Sequence, residues 1–193
     1  MWDFIKNSKG EILNLLFKNP DKALYLRQIA RELGKEDRPS YIQGALDFLL
    51  TEGVLTDERV GNLRFFKLNK NYPLYEELKK IISKTIGAEG QIKEIINSLE
   101  GIEEAFIFGS VAKGKENIHS DIDLMLIGSV DQDRLTEAVN KVEKELGREI
   151  NYHIFIKEEV LKKIKEKDSF FINIFLESKI ILKGNLNEFA ITS

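Results

Sequence analysis

The chain has 193 residues, of which 42% are hydrophobic and 32% are charged, and this balance excludes a disordered chain because enough apolar surface is present to build a core. Its 29 Lys and Arg residues face 32 Asp and Glu residues, and the net charge of −3 excludes a protein coated in basic residues for binding nucleic acid. The absence of cysteine excludes disulfides, thiolate metal sites and cysteine nucleophiles.

The first third of the sequence predicts three helices and then a β-hairpin. Apolar residues recur at helical spacing in three segments, and two extended runs flank Gly61-Asn62, a pair typical of a tight hairpin turn. Ser40 precedes the third helical segment and is predicted to cap it, because its hydroxyl can accept a hydrogen bond from the first free amides. The helical segments are residues 9–18, 23–34 and 41–53, and the two strands are residues 54–60 and 63–69.

Residues 25–69, with this order of helices and hairpin, resemble the winged helix-turn-helix domains of ArsR-type prokaryotic regulators. The resemblance implies binding of double-stranded DNA, with the outer face of the third helix in the major groove, and it also implies a homodimer. The residues expected to contact DNA are Arg38, Ser40, Tyr41 and Gln43 at the third helix and Arg59, Asn62 and Arg64 on the hairpin.

Acidic residues on the same face leave a second interpretation open. Asp47 and Glu52 would oppose the DNA phosphates, and residues 1–72 carry a net charge of only +2, from 12 Lys and Arg and 10 Asp and Glu residues. Winged helices also serve as protein-interaction modules. A contact with another protein is therefore the alternative to DNA binding.

The charge changes sign near Pro73, where a proline also interrupts the pattern, since residues 73–193 carry 17 basic and 22 acidic residues and a net charge of −5. We therefore expect a winged helix in residues 1–72, a helical connector in residues 73–100 and a second domain in residues 101–193. No stretch reaches the roughly 18 apolar residues of a membrane span, and the N-terminal residues lack the layout of a signal peptide. The expected location is the cytoplasm.

The segment after the connector contains the pattern that is most informative about chemistry. A buried strand over residues 105–108 leads into Gly109-Ser110 and a brief helix, and a second strand covers residues 121–127. Because side chains two residues apart in a strand point to the same side, Asp121 and Asp123 are expected to project together. Oxygen ligands without nitrogen or sulfur suit Mg²⁺ or Mn²⁺, and the free amides of the Gly-Ser turn suit a phosphate.

This pattern resembles the DNA polymerase β-like nucleotidyltransferase superfamily, and in particular its minimal prokaryotic members. The matching residues are Phe108-Gly109-Ser110, Ala112, Lys113, Gly114 and Ser120-Asp121-Ile122-Asp123-Leu124. The resemblance implies that Gly109, Ser110 and Lys113 bind the triphosphate of an NTP, with ATP as the expected donor. It implies that Asp121 and Asp123 hold Mg²⁺ or Mn²⁺ and act in catalysis. The implied reaction moves a nucleoside monophosphate to an acceptor hydroxyl and releases pyrophosphate.

Residues 9–183 as a whole resemble prokaryotic proteins that fuse an ArsR-like winged helix to a minimal nucleotidyltransferase domain. We therefore predict an α+β protein, in which an N-terminal winged helix-turn-helix precedes a small α/β nucleotidyltransferase domain with a mixed sheet. Relatives in toxin–antitoxin pairs attach AMP to a HEPN-domain toxin. A HEPN-domain protein is thus a partner that the resemblance implies.

One position departs from the pattern of the active members, which usually carry a third carboxylate on a later strand. Asn151 falls at this position, and its amide is a weaker ligand than a carboxylate and cannot act as a base. Glu149, on the same side of the strand, is the candidate substitute, so the expected metal ligands are Asp121, Asp123, Glu149 and Asn151. The alternative function is a DNA-binding transcriptional regulator whose degenerate domain only binds nucleotide.

The last part of the sequence predicts one or two helices over residues 157–178 and a short strand over residues 179–182. Phe170 and Phe171 lie in these helices at a spacing typical of apolar side chains that pack inward. The two rings could pack in the core or form a surface for a partner, and we favour the core because large apolar residues at helical spacing usually pack inward.

Overall fold

The computed structural model describes residues 5, 7–114 and 120–191. The chain forms two compact units, Met1–Gly90 and Gln91–Ser193. The division falls inside the predicted connector, residues 73–100, because the first connector helix contributes side chains to the core of the first unit. Within the described residues, no helix has the length and apolar character needed to cross a bilayer.

The first unit contains the three predicted helices and the predicted hairpin. Its elements are α1 (Ser8–Lys18), β1 (Leu24–Tyr25), α2 (Leu26–Glu32), α3 (Pro39–Thr51), β2 (Leu55–Val60), β3 (Leu63–Leu68) and α4 (Tyr75–Thr85). The three strands form an antiparallel sheet in the order β1-β3-β2. In the hairpin, Val60 pairs with Leu63, and Gly61 has a φ of 60°, which the tight turn between them requires. A further helix, α5 (Ala88–Ser98), runs across the division between the units.

Two local features of this unit differ from the sequence-based expectation. Leu24 and Tyr25, expected in the second helix, form a short strand that pairs with β3, because tertiary pairing overrides the local helical pattern. The third helix begins at Pro39 and not after Ser40, so Arg38 is at its N-cap position. Proline fixes its own φ and lacks an amide hydrogen, and both properties suit the first helical position. The prediction that Ser40 caps this helix is therefore wrong.

The core of the first unit is built from the apolar faces of its helices and one face of its sheet. The largest fully buried side chains there are Ile12, Leu16, Ile29, Ile42, Leu46 and Phe66. Ile82 of α4 is also buried among them, and Tyr75 and Leu78 pack against the same cluster. This packing places α4 in the first unit.

The second unit consists of a four-stranded sheet with helices and one short 3-10 helix. Its elements are β4 (Ile102–Phe108), α6 (Gly109–Ala112), β5 (Ile122–Gly128), α7 (Gln132–Leu146), β6 (Ile150–Phe155), α8 (Lys157–Lys165), α9 (Ser169–Leu176), β7 (Ile180–Lys183) and the 3-10 helix Asn187–Phe189. The strand order is β6-β5-β4-β7. The pair β5–β6 is parallel and the other two pairs are antiparallel, so the predicted mixed sheet is confirmed.

Strand alternation divides the side chains of this sheet between two faces. On one face, Phe106 and Met125 are buried with Val160 of α8 and with Phe171 of α9. On the other, the Tyr152 hydroxyl lies 3.1 Å from Thr136 Oγ1 of α7. The face that packs on α8 and α9 is the one that carries the candidate site, because Asp123 and Met125 are two residues apart on β5.

Candidate functional site

Two carboxylates stand side by side at the beginning of β5. Asp121 directly precedes the strand and is exposed, and Asp123 is its second residue and is half-buried. The backbone of Asp123 is opposite Phe108 on β4 and opposite Asn151 on β6. The sequence-based expectation that both carboxylates project to one side agrees with this arrangement, because Asn151 contacts both of them.

Gly109 follows β4 and lies against the carboxylate of Asp123. Its φ is 72°, in the left-handed region that side chains other than glycine rarely adopt. A Cβ atom at this position would overlap Asp123 Oδ2 and would lie 3.3 Å from Asp123 Cγ. The backbone conformation therefore favours glycine, and any side chain here would displace the carboxylate of Asp123. Ser110, the next residue, is half-buried in the first turn of α6.

The electrostatics of the pair favour a bound cation. Burial raises the pKa of Asp123, the neighbouring carboxylate of Asp121 raises it further, and His153 and a hydrogen bond from Asn151 only partly oppose this effect. A divalent cation between the two carboxylates would remove the repulsion and the cost of burial together. The donor set of carboxylate and amide oxygens suits a hard ion such as Mg²⁺ or Mn²⁺.

The third position of the predicted ligand set is occupied by an amide. Asn151 Nδ2 donates to Asp121 Oδ2 at 3.3 Å, so the side chain points into the site with its hydrogens toward the carboxylate. Glu149 precedes β6 and has an exposed side chain, and its backbone oxygen accepts a hydrogen bond from Ile122 N at 2.9 Å. In the part of the chain that the structure describes, no three acidic or histidine side chains form a group that could hold a metal ion. Asn151, and not Glu149, thus lies beside the two aspartates.

Lys113, expected at the triphosphate, is engaged with another residue. It ends α6, and its Nζ lies 2.7 Å from Glu177 Oε2 at the end of α9. Both side chains are partly exposed, at 37% and 43%. A phosphate that binds Lys113 would have to replace the carboxylate of Glu177.

A cluster of three aromatic rings, not anticipated from the sequence, adjoins the carboxylates. Phe108, His153 and Phe170 have ring centroids 5.6 to 6.3 Å apart. Phe171 is buried as expected, but Phe170 is 41% exposed, so the expectation that both rings lie in the core is wrong for Phe170. Helical spacing could not predict the exposure of Phe170. The exposure depends on how far the contact between α9 and the sheet extends along the helix.

The residues predicted to contact DNA lie on α3 and on the β2–β3 hairpin, and several of them bind carboxylates. Arg64 Nε lies 2.6 Å from Asp57 Oδ2, and Arg64 Nη1 lies 3.5 Å from Asp47 Oδ1. Gln43 Nε2 donates to Asp47 Oδ1 at 2.8 Å. Within the described residues, the charge of Arg64 on this face is therefore largely balanced by neighbouring aspartates.

The other predicted contact residues on this face are more exposed. Arg38 is paired only loosely with Asp37, at 3.5 Å, and Ser40 and Arg59 are exposed. The Tyr41 hydroxyl accepts a hydrogen bond from Ser8 N at 3.3 Å, and the interaction with Ser8 lowers the pKa of Tyr41. Tyr41 thus faces α1 as well as solvent.

Comparison with known proteins identifies the second unit. The family model described as "Nucleotidyltransferase domain" matches residues 90–182. The chain is 33% identical over 98 residues to "Putative protein adenylyltransferase MJ0604" of Methanocaldococcus jannaschii, and the match covers 48% of this chain and 96% of that protein.

Solved structures show a weaker likeness. A toxin-antitoxin structure with AMP-PNP has 16% sequence identity and a TM-score of 0.38, over 52% of this chain and 76% of that one. A mutant of the toxin-antitoxin MntA-HpeT has 13% identity and a TM-score of 0.39, over 52% of this chain and 77% of that one. From its family match and its curated relative, the chain belongs to the nucleotidyltransferase domain family, and it is a nucleotidyltransferase.

Proposed function

We propose that the second unit transfers a nucleoside monophosphate from an NTP to an acceptor hydroxyl with the help of Mg²⁺ or Mn²⁺ held by Asp121 and Asp123. Nucleotidyltransferases of this family use an NTP and a divalent metal ion. The observation that carries the proposal is the pair of carboxylates beside Gly109, with burial and mutual repulsion raising the pKa of Asp123. Such a pair is stabilised by a cation that also binds phosphate oxygens.

The residues of the site have separate tasks in this proposal. Backbone amides after Gly109 and the hydroxyl of Ser110 bind the β- and γ-phosphates, and Lys113 leaves Glu177 to neutralise them. Asp121 and Asp123 hold the metal, and Asn151 turns its carbonyl oxygen toward it as a neutral ligand. The bound metal would neutralise the negative charge of the phosphates and stabilise the departing pyrophosphate.

The transfer itself exchanges one phosphorus–oxygen bond for another. The acceptor oxygen forms a bond to the α-phosphorus, the bond from the α-phosphorus to the bridging oxygen breaks, and pyrophosphate departs with that electron pair. Asn151 has no basic group, so in this proposal the proton of the acceptor hydroxyl leaves to solvent. Solvent has access to the site because Asp121 is exposed. A slow reaction is expected from a site without a dedicated base.

The proposal extends to the donor and the acceptor. We take ATP as the donor and a protein hydroxyl as the acceptor, because the curated relative is named a protein adenylyltransferase. A HEPN-domain protein is the partner that the family resemblance suggests for this acceptor. Neither choice depends on a residue of this chain, so both need a direct experiment.

Transfer of label tests this function. The full chain is incubated with each of the four α-labelled NTPs, Mg²⁺ and candidate protein acceptors. We expect transfer that disappears in Asp121→Asn and Asp123→Asn and persists in Asp133→Asn, since Asp133 is an exposed carboxylate on α7. Equal transfer in Asp123→Asn and the wild type would contradict the proposal.

A second function is favoured by the order of elements in the first unit. The succession of α1, β1, α2, α3 and the β2–β3 hairpin supports a winged helix-turn-helix, for which we propose residues 1–72, with residues 73–100 as the connector and residues 101–193 as the transferase domain. We propose that this unit binds double-stranded DNA as a homodimer. The regulator with a transferase domain that only binds nucleotide is the alternative, and the amide of Asn151 favours it.

Gel-shift titration of the full chain tests DNA binding. Native upstream DNA and a random duplex of the same length are compared at several stated salt concentrations. Preference for the native duplex would support the regulator. Equal affinity for both duplexes would contradict specific binding. The proposed homodimer is tested separately, by sedimentation velocity on the same samples.

A further inference from the structure

The aromatic cluster of Phe108, His153 and Phe170 is located where the sheet carries its carboxylates. Phe108 is the last residue of β4 and is directly opposite Asp123 in the antiparallel pair β4–β5. His153 is two residues beyond Asn151 on β6, so both side chains lie on the face of Asp123. The cluster is therefore continuous with the proposed catalytic site along the sheet.

The first turn of α9 holds Phe170 against Phe108 and His153. Asp168 caps the helix, because its side chain accepts hydrogen bonds from Phe170 N at 3.0 Å and from Phe171 N at 3.4 Å. Phe171 is buried against Phe155, with ring centroids 5.0 Å apart. Its anchoring sets the rotation of the helix, and this rotation directs Phe170 to the rings of Phe108 and His153.

The rings of Phe170 and His153 leave part of their surface open to solvent. Phe170 meets Phe108 at an interplanar angle of 89°, His153 at 67° and Phe171 at 82°, so none of these three rings stacks parallel on it. The side chain of Phe170 is 41% exposed, and His153 is classed as exposed, whereas Phe108 is buried.

We propose that the open faces of Phe170 and His153 form the stacking surface for the nucleobase of the donor NTP. This inference rests on the proposed function. It assigns a binding surface to the nucleobase, which the phosphate-binding residues do not contact. The turn at Gly109-Ser110 follows β4, and His153 lies on β6, with the carboxylates of β5 between them. With the triphosphate at the turn and the α-phosphate at the carboxylates, the base would extend across β5 toward His153 and Phe170.

A stacking surface of this kind recognises a planar ring and not a particular base. Every nucleobase presents a π-face, and stacking on an aromatic side chain is tolerant of base identity. We therefore infer that Phe170 contributes affinity for all four NTPs to a similar degree. Any preference for one base has to come from hydrogen bonds at the edge of the ring.

Binding of nucleotides and of tripolyphosphate tests the proposal. Affinities are measured by calorimetry in the presence of Ca²⁺, which supports binding while limiting turnover. We expect Phe170→Ala to weaken ATP binding by about 5-fold to about 100-fold, since this is the range of one lost stacking contact. Tripolyphosphate has no base, so its affinity stays within a factor of about two of the wild type.

Two further variants separate stacking from other effects. Phe170→Trp keeps an aromatic face and retains ATP affinity, whereas Phe170→Leu keeps apolar bulk but loses ATP affinity as the alanine variant does. Thermal melting shows whether Phe170→Ala is folded. If it is not, the ATP affinity of Phe170→Leu tests the stacking surface in its place. Leu176→Ala is the control, because Leu176 is 66% exposed on the same helix. We expect this variant to change neither the affinity for ATP nor the affinity for tripolyphosphate.

The outcomes distinguish this inference from the proposed function. Unchanged ATP affinity in Phe170→Ala and Phe170→Leu overturns the stacking surface and leaves the transferase proposal intact. An equal loss for ATP and tripolyphosphate also overturns it, because the effect would then lie in the phosphate site. Unchanged ATP affinity with a raised KM for the acceptor assigns the rings to the acceptor instead. A wild-type chain that binds neither ATP nor tripolyphosphate overturns both proposals.

Discussion

The backbone of Gly109 occupies the space next to the carboxylate of Asp123, so that a single added methyl group would overlap Asp123 Oδ2. This contact joins the turn proposed for phosphate binding to the carboxylate proposed for metal binding. The two residues are 14 positions apart in the sequence and are brought together because Phe108 and Asp123 are opposite each other in β4 and β5. A side chain at position 109 would thus displace the carboxylate of Asp123.

Replacement of Gly109 by alanine tests this contact. Alanine at a φ of 72° costs about 1 kcal/mol of folding free energy, and its Cβ also displaces the carboxylate of Asp123. We expect transfer activity to fall by about 100-fold, because a small misplacement of a reacting group has effects of this size. The measurement is the rate of nucleotide transfer, together with the melting temperature.

Gly147→Ala is the matched control for this variant. Gly147 also has a positive φ, 66°, but nothing lies within 4 Å of an added Cβ. Its replacement should lower the melting temperature to a similar degree and leave transfer unchanged. A similar loss of activity in both variants would show that backbone strain, and not the contact with Asp123, is the cause.

Asp123 makes stability depend on pH and on metal. Its pKa is raised from the ordinary value of 3.8, mainly by burial and next by Asp121, so the folded state binds this proton more tightly than the unfolded state. The resulting stability is present at pH values below the unfolded pKa and is lost as pH rises through the raised pKa. Without metal, Asp123→Asn should melt at a higher temperature than the wild type at pH 7 and at about the same temperature at pH 3.

Addition of Mg²⁺ at pH 7 should reverse this order. The ion binds the folded wild type and raises its melting temperature, whereas Asp123→Asn responds less because it has lost one charged ligand. Asp133→Asn, on an exposed carboxylate, should follow the wild type throughout. An identical response of Asp123→Asn and the wild type to Mg²⁺ would rule out Asp123 as a metal ligand.

Asn151→Asp restores the carboxylate that the active members of the superfamily usually carry at this position. With Mg²⁺, we expect transfer to rise by about tenfold, because a charged oxygen replaces an amide next to Asp121 and Asp123. Without metal, the third negative charge should lower the melting temperature and raise the pKa of Asp123 further. Activity that falls in Asn151→Asp with Mg²⁺ present would indicate that the amide has its own function.

The ion pair of Lys113 and Glu177 is expected to compete with nucleotide. Glu177→Gln removes the carboxylate from Lys113, so ATP affinity should rise about two- to fivefold, in line with the strength of an exposed ion pair. Glu188→Gln is the control, since Glu188 forms a similar exposed pair with Lys157 at 2.5 Å. Weaker ATP binding in Glu177→Gln would mean that Glu177 positions Lys113 for the phosphate and does not compete with it.

The aspartates on the α3 and hairpin face should restrict DNA binding. Asp57→Asn removes the shorter of the two ion pairs of Arg64 and leaves the one with Asp47, and we expect tighter binding to duplex DNA in gel-shift titrations. Arg64→Ala in the Asp57→Asn background should reduce the slope of log K against log salt by about 0.9, the value for one lost phosphate contact. Arg134→Ala on α7 is the control and should leave the slope unchanged.

The parts of the site that depend on local alternation could be predicted from the sequence. The spacing of Asp121 and Asp123 on a strand is enough to place both side chains on one side. The position of Asn151 at the third place of the ligand set follows instead from the resemblance to the superfamily. The engagement of Lys113 by Glu177 depends on the path of α9, which is set by packing of residues far apart in the chain. The local sequence pattern does not predict such long-range contacts. The exposure of the Phe170 ring could not be predicted for the same reason.

Helix α9 has one contact with the site near each of its ends. Phe170 in its first turn contacts Phe108 and His153, and Glu177 directly after its last turn pairs with Lys113. Lys179 fixes the far end, since its Nζ donates to Phe175 O at 2.8 Å and to Glu177 O at 2.7 Å. At a rise of 1.5 Å per residue, the eight residues of α9 span about 12 Å, so both contacts belong to one short helix. A protein that tilts α9 would therefore alter nucleobase stacking and the freedom of the phosphate-binding lysine in a single motion.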